Sequence, residues 1–404
     1  YLDKLSQGQA SADLIEAFLE QGPEMLDFVQ DNSAIRWRVS LMLGDAADYH
    51  PDWEGARMKG RSVEPERDGV GMSGGILIDA LVNACKQRGV EFMTGAPARQ
   101  LIARDTEAGV EVLGVLVDGS DGPLRVRAGR GVLLASGGFE RNETMTQHFL
   151  RGPVSYTWGA EGNEGDGIRM GMAVGADLRN MNECWHQVAY TAEGEQSGHL
   201  RGGISLWGQI ERRTASGITV NRYGERFANE SAAYVVTWRS FHTWENWGQL
   251  GMRNMPAYAI FDHKARRNGT IAGRTREQPL PDWVAQADSL EELAQQLAID
   301  PGGLEATVQR FNLHAAQGRD PDFHRGENTY DRNGEHPVSA ALQPLDQGPF
   351  YGAEVSPATL GTCGGLRVDG RARVIDVFDR PIRGLYAAGN TTGVGSPGAL
   401  YGGG

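Results

Sequence analysis

The spacing of apolar and polar residues changes along the chain, and each spacing predicts a different element. Between residues 10 and 30, apolar side chains recur at near-helical intervals, at Leu14, Phe18, Met25 and Phe28. Gly22 and Pro23 interrupt this pattern, so it predicts two short helices rather than one.

A second helical pattern covers residues 74–88, and its apolar face includes Cys85. Gly89 follows directly as the expected end of this helix. The pattern therefore predicts that Cys85 is a core residue and not a nucleophile. The apolar residues 90–94 that come next predict a short strand.

Three further stretches predict strands. Alternation over residues 110–117 and 124–128, with a glycine-rich turn between them, predicts a β-hairpin. Residues 131–139 form an apolar run that ends in glycines, which is typical of a buried parallel strand. Residues 383–390 repeat this order, with a short apolar strand that leads into a glycine loop.

The length and the distribution of residue types indicate two domains. A chain of 404 residues is long enough for two hydrophobic cores. Between about residues 178 and 336 the parallel-strand pattern stops, and tryptophan, arginine and loop residues become more frequent. We therefore predict a second domain that is inserted into the first.

Charge and cysteine content exclude several classes of partner. The net charge is −13, which disfavours nucleic acid because phosphate binding needs clustered Lys and Arg. No apolar run approaches the roughly 20 residues of a membrane-spanning helix. The three scattered cysteines indicate neither a disulfide framework nor a zinc site. We expect a cytoplasmic location and no bound metal.

Four motifs occur in an order that is more specific than any one of them. They are Ala135-Ser136-Gly137-Gly138-Phe139, Gly165-Asp166-Gly167, residues 220–230 (VNRYGERFANE) and residues 383–390 (RGLYAAGN). Together they resemble the FAD-dependent fumarate reductase, succinate dehydrogenase and 3-ketosteroid dehydrogenase superfamily. The resemblance covers essentially the whole chain.

The resemblance implies an α/β fold with a Rossmann-like FAD-binding domain and an inserted α+β capping domain. We expect the FAD-binding domain at residues 1–177 and 337–404, and the capping domain at residues 178–336. A member should open with a strand, a GxGxxG turn and a helix that seat the FAD pyrophosphate, but this sequence contains no such βαβ unit. We therefore expect a pattern clipped at both ends, a processed chain or an incomplete one.

FAD is the cofactor that the resemblance implies. Glycine and other small residues let a backbone approach a flat ligand because no large side chain intervenes. The residues that the resemblance assigns to FAD are Ala98, Ser136, Gly137, Gly138, Asp166, Gly389, Asn390, Gly402 and Gly403. Asp166 also suits the N-cap of the helix that starts there.

Three positions distinguish the branches of the superfamily by charge. Fumarate-type enzymes place a histidine where Gly361 stands, an arginine in the region of residues 399–401, and a proton-donating arginine where Tyr234 stands. A dicarboxylate needs cationic ligands, and all three departures remove them. A dicarboxylate substrate is therefore disfavoured, although Arg239 is available as a substitute ligand.

The same positions resemble 3-ketosteroid dehydrogenases, in which three tyrosines meet at the flavin. These tyrosines correspond to Tyr49, Tyr234 and Tyr401. The resemblance implies that Tyr401 donates a hydrogen bond to the ketone and that Tyr234 takes the α-proton, assisted by Tyr49. It also implies a small hydrophobic, steroid-like ketone as substrate and an external electron acceptor.

Two other functions remain open from the sequence. One is a flavin-dependent ene-reductase of the fumarate reductase type, which runs the same chemistry backwards. The other is a partial flavoprotein with only a binding or interaction role, which the absent GxGxxG turn would favour in a complete chain.

Overall fold

The computed structural model describes residues 1–40, 48, 50–57, 62–69, 74–152, 154–197, 207–246 and 251–393. In these residues the helices are α1 Leu2–Ser6, α2 Ala12–Asn32, α3 Gly74–Gln87, α4 Glu143–Phe149, α5 Asp166–Ala173, α6 Thr191–Ser197, α7 Trp207–Glu211, α8 Tyr234–Phe241, α9 His263–Asn268, α10 Leu290–Leu297 and α11 Pro301–Ala315, with 3₁₀ turns at Val338–Ala340 and Gly389–Thr391. The strands are β1 Trp37–Val39, β2 Val63–Pro65, β3 Ala98–Thr106, β4 Gly109–Gly119, β5 Gly122–Arg127, β6 Val132–Leu134, β7 Tyr156–Thr157, β8 Leu178–Arg179, β9 Cys184–Tyr190, β10 Gly217–Asn221, β11 Ala257–Phe261, β12 Ala285–Ala287, β13 Phe350–Thr362, β14 Gly365–Leu366, β15 Arg373–Ile375 and β16 Pro381–Ala387.

The chain divides into two compact units. Unit 1 comprises Tyr1–Gly138, Gly165–Met181 and Cys363–Gly404, and unit 2 comprises Phe139–Glu164 and Asn182–Thr362. Residues 337–362 belong to unit 2 because β13 pairs with β9, β11 and β12 there. The sequence interpretation assigns these residues to the FAD-binding domain, as it does residues 139–164. The predicted domain limits stay a prediction.

The main sheet of unit 1 combines a hairpin with a parallel core. Strands β15, β16, β4 and β3 follow one another in the sheet, with β5 beside β4 and β6 beside β16. The antiparallel pairing of β4 with β5 confirms the predicted hairpin. The parallel pairing of β6 with β16 confirms the prediction of a parallel strand within residues 131–139. However, β6 is not fully buried, since the side chain of Leu133 is 61% exposed.

Three local predictions in unit 1 are wrong. A single helix, α2, continues through Pro23, because its exposed position lets water solvate the carbonyl that loses its partner. Residues 90–94 form no strand and are exposed, since no described strand lies beside them to complete a ladder. Cys85 is only half-buried, because α3 has no fully buried residue.

The sheet of unit 2 is covered on both faces, which explains its continuous apolar strands. Strand β11 illustrates this arrangement, because its residues alternate between two cores. Tyr258 and Ile260 pack with α10 and α11. Ala257, Ala259 and Phe261 face the opposite cluster, which includes Phe241 of α8. At α10 the side chain of Ser289 caps the start of the helix, because it accepts a hydrogen bond from the N–H of Glu292 at 3.1 Å.

Candidate active site

The parallel pair β6–β16 brings two of the predicted glycine motifs side by side in unit 1. Leu134 pairs with Ala387, and the N–H of Ala388 donates to the carbonyl of Leu134 at 3.0 Å. Both strands then run into their glycine turns at the same edge of the sheet. At the carboxyl ends of parallel strands, backbone groups are left without sheet partners and are available to a ligand.

Side-chain and backbone hydrogen bonds join these two turns to the start of α5. Ser136 Oγ accepts from the N–H of Gly167 at 3.0 Å. The N–H of Gly165 donates to the carbonyl of Gly138 at 2.9 Å, and Thr391 Oγ1 donates to the carbonyl of Gly137 at 3.0 Å. The structure therefore brings Ser136, Gly137 and Gly138 together with the helix that starts at Asp166 and with the turn Gly389–Thr391. We call these three segments the glycine cradle.

The geometry of the glycine cradle suits a flat ligand that presses against backbone. Gly137 and Gly389 both have positive φ angles, of 79° and 66°. A Cβ on Gly389 would meet nothing within 4 Å, so this position is open. A Cβ on Gly167 would instead lie 2.5 Å from Ser136 Oγ, which shows how closely the segments approach. The cradle therefore fits the flavin that the sequence predicts.

The other predicted cofactor residues in the described part of the chain lie in the same unit. Ala98 is the first residue of β3 and is half-buried, and Asn390 is half-buried in the 3₁₀ turn. Asp166 is not the N-cap of α5 as predicted. Gly165 occupies that position in a left-handed conformation, and Asp166 is the first helical residue. Its carboxylate lies 3.9 Å from Arg169.

Of the three predicted catalytic tyrosines, one lies in the described part of the chain. Tyr234 is half-buried and is the first residue of α8 in unit 2. Tyr49 and Tyr401 lie outside the described residues, as do Gly402 and Gly403. Their roles stay predictions.

Two residues that the sequence interpretation passed over fix the turns at the edge of unit 2. Glu140 Oε2 accepts from the N–H of Thr362 at 3.2 Å, and Glu140 Oε1 accepts from the amide of Asn163 at 2.6 Å. Thr362 Oγ1 in turn accepts from the N–H of Phe139 at 2.9 Å. Glu140 directly follows the motif that ends at Phe139 and Thr362 directly follows Gly361, but only their pairing in space shows that they act together.

Charged and polar side chains gather near the start of β9. Glu183 binds two arginines, with Arg239 Nη2 at 2.6 Å from Oε2 and Arg151 Nη2 at 3.6 Å from Oε1. Next to it, Cys184 Sγ lies 2.8 Å from His186 Nδ1, and both side chains are buried. Burial raises the pKa of the Cys184 thiol. Burial and, secondly, Arg239 lower the pKa of His186, so both groups are uncharged at neutral pH.

Other features of the described residues add no second site. A cleft along β3, β4 and the end of α5 is lined by residues such as Gln100, Ile102 and Arg125, and by none of the predicted site residues. No helix in the part of the chain that the structure describes is long and apolar enough to cross a membrane. Among the same residues, no group of His, Cys, Asp and Glu is arranged to hold a metal ion.

Comparison with protein families gives one match over the full length of the chain. Residues 1–404 match the model of the FAD binding domain family. The chain belongs to this family. Its cofactor is therefore FAD, and the glycine cradle supplies residues that fit it.

The names of individual relatives indicate a narrower class of reaction. The chain is 31% identical to a 4-oxocyclohexanecarboxylate 2-dehydrogenase of Sinomonas cyclohexanicum, over 99% of the chain and 78% of the relative. It is 33% identical to a 3-oxosteroid 1-dehydrogenase of Mycobacterium tuberculosis strain H37Rv, over 94% of the chain and 78% of the relative. A solved 3-ketosteroid delta1-dehydrogenase from Sterolibacterium denitrificans, bound to 1,4-androstadiene-3,17-dione, superimposes with a TM-score of 0.85 at 27% identity, covering 100% of this chain and 84% of that one.

These similarities confirm the predicted α/β flavoprotein fold and the predicted superfamily. They also show an FAD-dependent oxidoreductase that acts on CH–CH groups, as its relatives do. The alternative of a partial flavoprotein with only a binding role is therefore set aside.

Proposed function

We propose that this enzyme introduces a double bond next to the ketone of a 3-ketosteroid A ring and passes the electrons to an external acceptor. The observation that carries the proposal is the position of Tyr234. It lies four residues after the end of the RFANE segment, as the first residue of α8, where a dicarboxylate-reducing enzyme would need an arginine.

Removal of two hydrogens from adjacent carbons needs a polarised carbonyl and a base for the acidic α-proton. Tyr401 donates a hydrogen bond to the ketone oxygen, and Tyr234 takes the proton from the α-carbon. Bound FAD supplies the acceptor for the hydride from the neighbouring carbon. All of these groups suit an uncharged substrate.

A phenol has an ordinary pKa of about 10 and is a weak base at neutral pH. Tyr234 therefore needs a partner that stabilises its phenolate. Tyr49 fills this role in the proposal, because a hydrogen bond to the charged form of a group favours that form. An ene-reductase would use the same residues in the opposite direction, with Tyr234 returning the proton.

The substitution Tyr234→Phe tests this assignment, since it removes one oxygen and leaves the ring. We expect unchanged flavin content and a limiting rate of flavin reduction that falls by on the order of 10²–10⁴-fold, the usual loss on removal of a general base. The measurement is stopped-flow bleaching of the flavin by 4-androstene-3,17-dione without oxygen. Substrate concentration at half-maximal rate should change little, because the proton transfer occurs only in the transition state.

Tyr223→Phe is the matched control. Its hydroxyl donates to Glu245 Oε2 at 3.0 Å in the same unit and has no part in the proposed proton transfer, so its loss should leave the rate within about twofold of the wild type. If Tyr234→Phe bleaches as fast as this control, Tyr234 is a packing residue and the proposed mechanism is wrong.

A second candidate differs in the charge of the substrate. The relative from Sinomonas cyclohexanicum acts on a cyclic ketone that carries a carboxylate. In this chain Arg151 and Arg239 both lie against the carboxylate of Glu183, so two guanidinium groups are close together. Such a group favours an oxocyclohexanecarboxylate over a steroid as substrate.

A further inference from the structure

The loop that leads into α8 is held by a buried arginine that no sequence motif includes. Arg212 directly follows α7 and is only 4% exposed. Its Nη1 donates to the carbonyl of Glu230, and its Nη2 donates to the carbonyl of Ala232 at 2.8 Å. The same Nη1 lies 3.5 Å from Thr237 Oγ1, in the first turn of the helix. One guanidinium therefore contacts the chain on both sides of Tyr234.

The start of α8 has no side-chain cap of its own, so the contacts of the preceding loop matter for its position. The N-cap residue is Ala233, which has no side chain that could accept a hydrogen bond from the first turn. Asn229 supports the same loop from the other side, as its Oδ1 accepts from the N–H groups of Ser231 at 2.9 Å and Ala232 at 3.1 Å. The loop is thus held by two side chains from outside the helix.

The guanidinium of Arg212 stays charged despite its burial. Burial lowers its pKa to about 10, and the nearby Arg213 and Arg325 act in the same direction, but at neutral pH the group remains a cation. Hydrogen bonds from a charged donor to carbonyl groups are stronger than neutral ones. A rigid, planar donor that reaches two carbonyls in one loop fixes the path of the backbone.

We propose that Arg212 is a positioning residue for Tyr234. It sets the direction in which α8 starts, and so the place of the phenol at its first residue. Proton transfer requires heavy atoms about 2.6–3.2 Å apart, and a displacement of about 1 Å lowers a rate by about 10²-fold. This inference rests on the proposed role of Tyr234 as the base.

The test is the substitution Arg212→Lys, which keeps the charge but cannot donate to both carbonyls with one planar group. We expect normal flavin content and a limiting rate of flavin reduction by 4-androstene-3,17-dione that is about 10–100-fold lower. The steroid concentration at half-maximal rate should stay within about twofold of the wild-type value. The decisive variant is the double substitution with Tyr234→Phe, which should be no slower than Tyr234→Phe alone, because residues that act through one group are not additive.

Arg213→Lys is the matched control. Arg213 is the next residue along the chain, but its Nη2 donates to the carbonyls of Tyr330 and Asp331, at 2.6 Å and 3.3 Å. This variant should reduce its flavin within about twofold of the wild-type rate. Where Arg212→Lys does not yield folded, flavin-bound protein, Asn229→Ser loosens the same loop while Arg212 stays in place, and it also removes the hydrogen bond from Asn229 Nδ2 to Asp331 Oδ2. It should show the same loss of rate and the same lack of additivity with Tyr234→Phe.

The outcomes separate this inference from the proposed function. If Tyr234→Phe is slow but the loop substitution multiplies its effect, the proposed function stands and the role of Arg212 is wrong. A wild-type rate in both Arg212→Lys and Asn229→Ser would also overturn it. A wild-type rate of flavin reduction in Tyr234→Phe would show that the proposed function itself is wrong.

Discussion

Gly167 shows how much a single missing side chain contributes to the glycine cradle. Its N–H donates to Ser136 Oγ, and a Cβ at this position would lie 2.5 Å from that oxygen and 3.0 Å from Thr391 Cγ2. Real Cβ atoms do not approach other atoms this closely, so the segments that form the cradle would have to move apart. Gly167 is therefore required for the shape of the glycine cradle, although it was not among the predicted cofactor contacts.

Gly167→Ala should weaken FAD binding, because overpacking of a closely fitted site costs about 1–3 kcal/mol, or about 5–150-fold in the dissociation constant if it acts fully on the bound state. The measurement is FAD titration of the flavin-free protein by fluorescence quenching. Gly129→Ala is the control in the same unit, since a Cβ there meets nothing within 4 Å. Equal FAD affinity in the two variants would contradict the role of the cradle in binding the cofactor.

At the scale of single residues, the sequence predicts those that belong to a motif and misses those that act across the fold. Ser136 could be chosen because it stands inside a recognisable glycine turn, and the structure does place its Oγ against the start of α5. Arg212 could not be chosen, because the carbonyls that it binds lie 18 and 20 residues further along the chain. Every residue has a backbone carbonyl, so the residue types of the binding partners do not indicate such a contact.

At the scale of elements, the motif around Glu230 is tied together by buried charges. Arg226 bridges Glu230 and Asp320, with distances of 2.8 and 2.9 Å, and Arg325 binds Glu230 at 3.0 Å. Burial raises the pKa of Glu230, but attraction to Arg226 and Arg325 outweighs it, so the pKa lies below its ordinary value. Asp320 behaves in the same way through its bonds to Arg226. These four residues join the loop before α8 to the segment after α11.

Asp320→Asn should destabilise unit 2 by about 3–5 kcal/mol, because it leaves part of a buried charge uncompensated. Asp322→Asn is a control two residues away. Its ion pair with Arg310 is largely exposed, so its loss should cost less than about 1 kcal/mol. Urea unfolding followed by tryptophan fluorescence reports on this unit, which contains every tryptophan except Trp37 and Trp53. Equal midpoints for the two variants would contradict the importance of the network.

The difference between Asp320→Asn and the wild type should depend on pH in one direction. The pKa of Asp320 is lower in the folded protein than in the unfolded chain, so the folded state binds fewer protons and the charge stabilises it above about pH 4. This contribution is lost as the pH falls below about 4. The stability difference should therefore be constant between about pH 5 and 8 and shrink in acid.

Element prediction succeeded where the local pattern agreed with the neighbours of the segment. The hairpin β4–β5 formed as expected, because its turn residues determine where the two strands end. Residues 90–94 have the composition of a strand but gain no ladder partner among the described residues. The helix α2 continues through Pro23 because its surface is exposed, so water can replace the hydrogen bond that the proline removes.

At the scale of the whole molecule, the fold was predictable from the order of the motifs, while the pairing partners of β13 were not. Strand β13 follows the predicted end of the capping domain, yet it pairs with β9, β11 and β12 of unit 2. Long-range strand pairing of this kind has no local signature. The roles of Tyr49 and Tyr401 depend on the motif resemblance alone.

Net charge is the remaining property of the whole chain that bears on the substrate. The protein carries a formal charge of −13, which repels an anionic ligand at long range and has little effect on a neutral one. The Arg151–Glu183–Arg239 group is the local exception, since it brings two guanidinium groups together. Salt screens interactions over a Debye length of about 10 Å at 0.1 M, so ionic strength separates the two candidate substrates.

We expect 4-androstene-3,17-dione to bleach the flavin with a second-order rate constant that changes by less than about twofold between about 20 and 200 mM NaCl, because the steroid is uncharged. An oxocyclohexanecarboxylate should bleach it more slowly, and fumarate should not reoxidise the reduced flavin. Three results together would show that the oxocyclohexanecarboxylate is the substrate. It would bleach the flavin faster than the steroid, and salt would lower the rate of that bleaching. Arg239→Gln would abolish the salt dependence and leave the flavin content unchanged. Rapid reoxidation by fumarate would instead restore the ene-reductase, and with it a cationic site for a dicarboxylate that Arg239 would have to supply.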